Sequence, residues 1–231
     1  MEVILDASGS MLQRQGGKRR IEITKQSLAS LVTKTIPART SFVMRVFGHK
    51  ESGSCRTDLE IPLQPLDPTA VTKTISGINA MNLAKTPIAV SLEMVASDLK
   101  GVTGDRIVIL LTDGEEICDG DPALAIKSLR AQGLDVRINI VGYAIDDKGL
   151  QETFESWATL GGGQYLNAPT GTELADALDE MFVHGHATSF SGWRDGGASP
   201  WEPGRSARGW PEFPWRGGSL LRPARNRRRG S

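Results

Sequence analysis

The sequence predicts an α/β fold: an open, mostly parallel, doubly wound (Rossmann-like) sheet with one antiparallel edge strand and helices on both faces. Strand-like and helix-like patterns alternate along most of the 231 residues. Residues 106–112 (R-I-V-I-L-L-T) are apolar almost throughout, which is typical of a central strand covered on both faces. Residues 41–48 and 57–63 flank a Gly/Ser turn and are rich in β-forming residues, which predicts a hairpin and hence one antiparallel strand.

The first third of the chain is predicted to be a strand, a helix and then the hairpin. The apolar run at residues 3–5 favours a buried first strand, and the basic, glycine-containing stretch 13–20 favours a surface loop. From Ile21 apolar residues recur at helical spacing until Pro37, which a helix interior excludes. His49, in the turn of the hairpin, is interpreted as a solvated loop residue.

Helices and strands alternate from the hairpin to about residue 185. Asp67-Pro68 and Asp121-Pro122 each combine an N-cap carboxylate with proline at the first helical position, so each predicts a helix start. The spacing of the apolar residues then predicts the following elements: helices over 68–78 and 88–99, the central strand, a helix from 122 to Gly133, a strand over 136–143, a helix marked by Leu150, Phe154 and Trp157, a short strand over 164–167, and a last helix ending near Gly185.

The composition changes near residue 185. Residues 1–185 are predicted to form the domain and carry 18 Lys and Arg against 24 Asp and Glu, whereas residues 186–231 carry nine Arg, no Lys and three acidic groups. The second segment is rich in Arg, Gly, Pro and Trp without any period, so we predict a disordered tail that the domain does not need for folding. Three interpretations stay open: a solvated basic segment, a surface for nucleic acid or acidic partners, and the product of a shifted reading frame.

Other bulk features bear on the compartment. No run of about 18 apolar residues occurs, so no membrane span is expected. The chain opens in a strand and not in a secretory signal, which suggests that upstream residues are missing. Cys55 and Cys118 fit either free thiols or one disulfide; we hypothesise the disulfide, because both lie in loops predicted at one end of the sheet. The location is left open, and a disulfide would favour an oxidising, extracytoplasmic one.

The stretch Asp6-Ala7-Ser8-Gly9-Ser10 follows directly on the first strand. It offers one carboxylate and two hydroxyls within one tight loop, and these hard oxygen donors suit Mg²⁺ or Ca²⁺. The pattern alone is weak, since a polar loop after a strand needs no metal. Asp113 strengthens it because it follows the predicted central strand. In open α/β sheets ligands bind beyond the carboxyl ends of such strands, so Asp6 and Asp113 indicate one site.

Three loops in this order resemble the von Willebrand factor type A domain: Asp6-Ala7-Ser8-Gly9-Ser10 after the first strand, Thr86 at a helix N-terminus, and Thr112-Asp113-Gly114 after the central strand. The resemblance covers residues 2–185, and segments such as Phe47-Gly48-His49 are most similar to the bacterial single-domain members. It implies a metal-ion-dependent adhesion site. Ser8 and Ser10 would bind the cation directly and Thr86 would do so in one state, while Asp6 and Asp113 would bind directly or through water.

The resemblance also implies a function, that of a metal-dependent protein-binding module of the adhesion or scaffold type. Mg²⁺ is the expected cation, with Ca²⁺ and Mn²⁺ as alternatives. Because hydroxyl ligands are neutral, the ion keeps charge for an Asp or Glu presented by a protein partner. Three acidic residues near this site are interpreted as a solvated rim: Glu115, Glu116 and Asp119. The domain is not expected to bind nucleic acid.

Catalytic readings find less support. The chain lacks the glycine-rich loops that bind nucleotides. His184 and His186 have a spacing that suits a metal but is interpreted as incidental. The best catalytic alternative is Mg²⁺-dependent phosphoryl transfer, or another hydrolysis, with Asp6 as nucleophile. Position 8, where a second Asp would act as the acid, is Ser8. We therefore predict a binding module and not an enzyme.

Overall fold

A computed structural model describes residues 1–187 of the protein. The strands in this range are β1 (Glu2–Asp6), β2 (Arg14–Gln15), β3 (Lys18–Arg19), β4 (Ser41–Phe47), β5 (Thr57–Pro65), β6 (Ile107–Thr112), β7 (Arg137–Tyr143) and β8 (Gly162–Ala168). All except β2 and β3 form one sheet in the order β5-β4-β1-β6-β7-β8. Edge strand β5 is antiparallel to β4, and the other neighbours are parallel. The predicted fold class is confirmed.

Helices connect the strands and begin where local sequence signals place them. They are α1 (Arg20–Ser30), α2 (Pro68–Gly77), α3 (Ile88–Glu93), α4 (Val95–Asp98), α5 (Pro122–Ala131), α6 (Lys148–Leu160) and α7 (Gly171–Ala187). Asp67 and Asp121 accept backbone N–H groups of the first turns of α2 and α5, as their Asp-Pro sequences predict. Within residues 1–187 no helix is both long and apolar enough to cross a bilayer.

Apolar residues pack on both faces of the sheet. Along β1, Val3 and Leu5 join one cluster with α1, α2 and α7, whereas Ile4 points to the other face and joins α3, α4, α5 and α6. Successive side chains of a strand point to opposite faces, so a strand covered on both sides is apolar at nearly every position. This geometry explains the continuous apolar run of β6, which is buried at all six positions.

Three predicted segments differ in detail, and a fourth lies almost entirely outside the described residues. Residues 13–20 contain the short β2–β3 hairpin, whose turn residues Gly16 and Gly17 have positive φ angles of 57° and 86°. The helix before Pro37 ends its α-helical part at Ser30 and closes with a π-helical turn over Leu31–Thr35. The helix predicted over 88–99 divides at Met94 into α3 and α4. The predicted tail, 186–231, lies outside the described residues except for 186 and 187 of α7.

The interpretation of His49 as a solvated loop residue is wrong. Its side chain is only 7% exposed, and its Nε2 atom lies 3.0 Å from Oε1 of Glu60 on β5. The imidazole therefore packs against the edge strand and helps to fix the turn between β4 and β5. The sequence gives no signal for this contact, because it depends on the register of the hairpin.

The turn after β4 lies directly against the loop after β1. The Ala7 N–H donates to the Phe47 carbonyl at 2.9 Å, which continues the β1–β4 ladder past the end of β1. Gly48 follows with a positive φ of 77°, and a Cβ atom there would lie 2.5 Å from the Ser8 nitrogen. Only glycine allows so close an approach together with this backbone conformation. Gly48 thus sets the position of the loop that carries Ser8.

Gly48→Ala tests this packing, with Gly53→Ala as the matched control. Gly53 has a similar φ of 73°, but an added Cβ there meets nothing within 4 Å. Left-handed backbone strain costs roughly 1–2 kcal/mol in either variant. We expect Gly48→Ala to lower the free energy of unfolding, measured in urea, by at least about 2 kcal/mol more than the control, since the clash adds to the strain. Equal losses would show that the contact is unimportant.

Candidate metal centre

Side chains from two loops meet at the carboxyl edge of the sheet. The Ser8 and Ser10 hydroxyl oxygens lie 3.0 Å apart. The Ser10 hydroxyl also donates to Oδ1 of Asp113 at 2.5 Å, although 103 positions separate these residues in the chain. The strand order explains the meeting, because β1 and β6 are parallel neighbours whose following loops share one edge. The structure therefore brings together three of the predicted ligands in one chain of hydrogen bonds.

Asp6 lies at the end of β1 and is completely buried. Its Oδ1 accepts the Ser8 N–H at 2.7 Å, and its Oδ2 accepts the Thr112 hydroxyl at 2.6 Å. The carboxylate thus orders the Ser8 loop and connects β1 to the end of β6. Each oxygen keeps a further lone pair, so Asp6 could still bind a cation directly or through water.

Burial disfavours the charged forms of both carboxylates, and the charge of Asp113 adds to this effect at Asp6. Burial, followed by the charge of Asp113, raises the pKa of Asp6 to about 7 against the opposing hydrogen bonds from Ser8 and Thr112. Burial also raises the pKa of Asp113, although Ser10 and Arg20 favour its charged form. A divalent cation beside both groups would offset the burial cost and the repulsion together. The oxygen donors and the charge therefore fit such an ion.

Thr86 is buried and is joined through its backbone to the loop after β6. It is 4% exposed, and its carbonyl accepts the N–H groups of Ile88 at 3.1 Å and of Ile117 at 3.4 Å. The N-cap of α3 is Pro87, so Thr86 lies one position before the cap, at the helix N-terminus as the sequence predicts. Within residues 1–187 the hydrogen bonds that join the other site residues do not include the Thr86 hydroxyl. Its role as a ligand stays a prediction.

Glu116 departs from the predicted acidic rim. Its carboxylate accepts the Ala89 N–H at 2.7 Å and the Cys118 N–H at 2.6 Å. These bonds fasten the loop after β6 to the first turn of α3, so Glu116 is a structural residue and not a solvated one. Glu115 and Asp119 are exposed, as the rim interpretation expects.

The hypothesised disulfide is present in the structure. Cys55 and Cys118 are bonded, with their Cα atoms 5.8 Å apart. The bond links the β4–β5 turn to the loop that carries Asp113. The same turn is tied to the loop before Thr86, since the Gly53 N–H donates to the Leu83 carbonyl at 3.0 Å. Three loops around the site are therefore joined covalently or by backbone hydrogen bonds.

The side chains of this site offer hydroxyl and carboxylate oxygens as metal ligands. Among the described residues, no group of three or more His, Cys, Asp and Glu side chains is arranged to hold a metal ion. A cation at this edge would consequently depend on hydroxyl oxygens together with the two carboxylates. Such donors suit hard divalent ions.

Comparison with known proteins agrees with this geometry. A family model described as the von Willebrand factor type A domain matches residues 1–116, half of the chain. The chain belongs to the von Willebrand factor type A family. It is 37% identical over 188 residues to the uncharacterized protein YwmD of Bacillus subtilis strain 168, a match that covers 77% of this chain and 82% of YwmD. The resemblance seen in the sequence is confirmed.

Solved structures show the same von Willebrand factor type A fold. One is a von Willebrand factor type A structure from Catenulispora acidiphila, with a TM-score of 0.63 and 17% identity over 80% of this chain and 42% of that one. Another is proximal thread matrix protein 1 of the mussel byssus with a zinc-occupied MIDAS motif. Its TM-score is 0.60, with 21% identity over 78% of this chain and 46% of that one. At these identities the likeness shows the fold.

Arg20 is a residue of this von Willebrand factor type A domain that the sequence analysis missed. Its Nη1 atom lies 2.9 Å from Oδ2 of Asp113, and its side chain is 17% exposed. Composition assigned Arg20 to a basic surface loop, whereas it is the first residue of α1. One sequence signal could have identified Arg20. A positive charge in the first turn of a helix is unfavourable because it opposes the helix dipole, so an arginine there indicates a nearby anion.

The raised pKa of Asp6 predicts a pH dependence of stability in the absence of metal. Because the folded pKa of about 7 exceeds the ordinary aspartate value of 3.8, the contribution of Asp6 to the free energy of unfolding is complete below about pH 4 and falls as the pH rises, until it is lost near pH 7. In chelator, the parent protein should therefore lose stability progressively between about pH 4 and pH 7, by up to roughly 1.4 kcal/mol per pH unit. Asp6→Asn should remove much of this slope.

Asp58→Asn is the control for that measurement. Although partial burial opposes it, hydrogen bonds and charges from Arg56 and Lys50 lower the pKa of Asp58, so this carboxylate stays ionised over the same range. Urea unfolding at several pH values measures the slopes, and Glu2, whose pKa burial also raises, contributes the same background to all three proteins. A slope in Asp6→Asn equal to that of the parent and the control would contradict the assignment.

Proposed function

We propose that this domain is a divalent-cation-dependent protein-binding module of the adhesion or scaffold kind, whose cation takes a carboxylate from an Asp or Glu of a protein partner. The observation that supports it most is the hydrogen-bonded chain from Ser8 through Ser10 to Asp113, next to buried Asp6. These four residues and Thr86 would hold the ion. Mg²⁺ is the first candidate, with Ca²⁺ and Mn²⁺ as alternatives, and the zinc-occupied motif of the mussel protein supports a divalent ion at this place in the fold.

The ligand set favours attraction of an anion by the bound ion. Serine and threonine oxygens carry no charge, so only Asp6 and Asp113 offset the charge of the cation. The ion supplies electrostatic attraction to a carboxylate at a coordination position that the protein leaves open. Charge-assisted contacts of this kind are strong and directional. They suit recognition of one acidic side chain within a larger interface.

The surface around the site supports a protein as the partner. Leu83 is 72% exposed and Ile117 is 48% exposed, and they lie in the loops that carry Thr86 and Asp113. Exposed apolar side chains beside a charged contact can exclude water from it, as rim contacts do around interface hot spots. Exposed Glu115 and Asp119 repel phosphates, which disfavours nucleic acid. The Cys55–Cys118 disulfide favours an oxidising, extracytoplasmic location as part of this proposal.

Phosphoryl transfer by Asp6 has less support. A nucleophile must reach the phosphorus atom, yet the Asp6 side chain is fully buried and both of its oxygens accept hydrogen bonds. The geometry therefore favours binding over catalysis. A phosphatase assay with and without Mg²⁺ tests the alternative directly.

The metal part of the proposal predicts stabilisation by the ion alone. Mg²⁺ at about 100 times its dissociation constant should add roughly 2.7 kcal/mol to the free energy of unfolding, because it binds only the folded chain. Ser8→Ala and Asp113→Ala should abolish this gain. Ser76→Ala, an exposed serine on α2, is the control that should retain it. Equal melting temperatures of the parent in millimolar Mg²⁺ and in chelator would contradict the proposal.

The partner part is tested with the immobilised domain. A partner retained in Mg²⁺ should be released by chelator, and neither the Ser8→Ala nor the Asp113→Ala domain should capture it. Ser76→Ala should capture it as the parent does. A partner that binds equally well in chelator and to Ser8→Ala would show that binding does not use the ion.

A further inference from the structure

The Arg20 side chain reaches from α1 into the candidate metal centre. Its Nη1 donates to Oδ2 of Asp113 at 2.9 Å, and its Nη2 lies 3.5 Å from the Ala144 carbonyl. The backbone N–H of Arg20 donates to the Gln13 carbonyl at 2.9 Å, so the β2–β3 hairpin returns the chain to residue 13 before α1 begins. Among the described residues, Asp113 is the one carboxylate that forms an ion pair with Arg20.

The two oxygens of Asp113 face different groups. Oδ1 accepts the Ser10 hydroxyl, which is a proposed ligand, and Oδ2 accepts Arg20. A cation that binds between Ser10 and Oδ1 therefore has no need to displace Arg20 from Oδ2. Arg20 would stay beside the bound ion and fix the orientation of the carboxylate.

The fixed guanidinium changes the charge of the site. Asp6 and Asp113 alone would balance a divalent ion, but an arginine is always protonated and cancels one of their charges. Because Arg20 is largely shielded from solvent, its field is weakly screened at the short distance involved. A site loaded with a divalent ion would therefore keep a net positive charge. Repulsion weakens binding of the cation, and the same excess charge attracts an anion.

We propose that Arg20 is a positioning residue that lowers the affinity of the site for the cation alone and raises the affinity of the loaded site for a carboxylate. Cation and partner then bind cooperatively: each strengthens the binding of the other, by the same factor. This inference rests on the proposed function. It differs from a merely structural role of Arg20, in which the ion pair only fastens α1 to the loop after β6.

Isothermal titration of Mn²⁺ alone into the whole chain separates these roles. Arg20→Gln keeps a hydrogen-bond donor but removes the charge, and it should bind Mn²⁺ about tenfold more tightly than the parent. Arg20→Lys keeps the charge and should stay within about threefold of the parent. Arg19→Gln makes the same change in net charge at the exposed neighbouring position and should leave the affinity unchanged. A melting curve in chelator verifies that each variant is folded. If Arg20→Gln does not fold, Arg20→Met replaces it as the neutral variant.

Acetate serves as the carboxylate probe. At equal ionic strength, replacing chloride by acetate should tighten Mn²⁺ binding to the parent by a larger factor than to Arg20→Gln. A folded neutral variant that binds Mn²⁺ no more tightly than the parent would overturn the inference, as would equal acetate factors. A parent that binds no Mn²⁺ at all would overturn the proposed function as well, so the two failures are distinguishable.

Discussion

Two carboxylates are buried side by side at the carboxyl edge of the sheet, and the candidate site depends on this constraint. Burial raises the pKa of both carboxyl groups, and the charge of Asp113 raises that of Asp6 further, so keeping both groups ionised is costly. The structure offsets part of this cost with two hydrogen bonds to Asp6 and with the ion pair between Arg20 and Asp113. A divalent cation would offset more of it. Local instability of the metal-free site is therefore the physical basis for the affinity that we propose.

The loops around the carboxylates are held in place by contacts that do not use the metal. The Cys55–Cys118 disulfide and the Glu116 carboxylate fasten the loop after β6, and Gly48 allows the turn after β4 to lie against Ser8. Ligands fixed in this way lose little freedom when an ion or a partner binds. The sheet supplies the meeting point of the loops, and these contacts supply its rigidity. Binding energy can then come from a single charged contact supported by the exposed apolar side chains of Leu83 and Ile117.

The sequence predicts the fold and part of the site because those features depend on residues that are close together in the chain. Alternating patterns reveal the strands and helices, the spacing of Ser8 and Ser10 is local, and Asp113 follows from its place at the end of a buried strand. Arg20 and Glu116 were misassigned because their partners lie 93 and 27 positions away, so composition alone describes them as solvated charges. The interpretation of His49 as a solvated residue is wrong for the same reason, because its contact with Glu60 depends on the register of the hairpin. Long-range side-chain contacts require the assembled fold.

Anomalous scattering from crystals grown with Mn²⁺ tests the central claim most directly. It locates the ion itself and does not rely on stability or on a partner. The account predicts one strong peak within coordination distance of the Ser8 and Ser10 hydroxyl oxygens, beside Asp113, and its disappearance in crystals of Ser8→Ala. No peak at this position, or manganese bound only at exposed carboxylates such as Glu115 and Asp119, would contradict it.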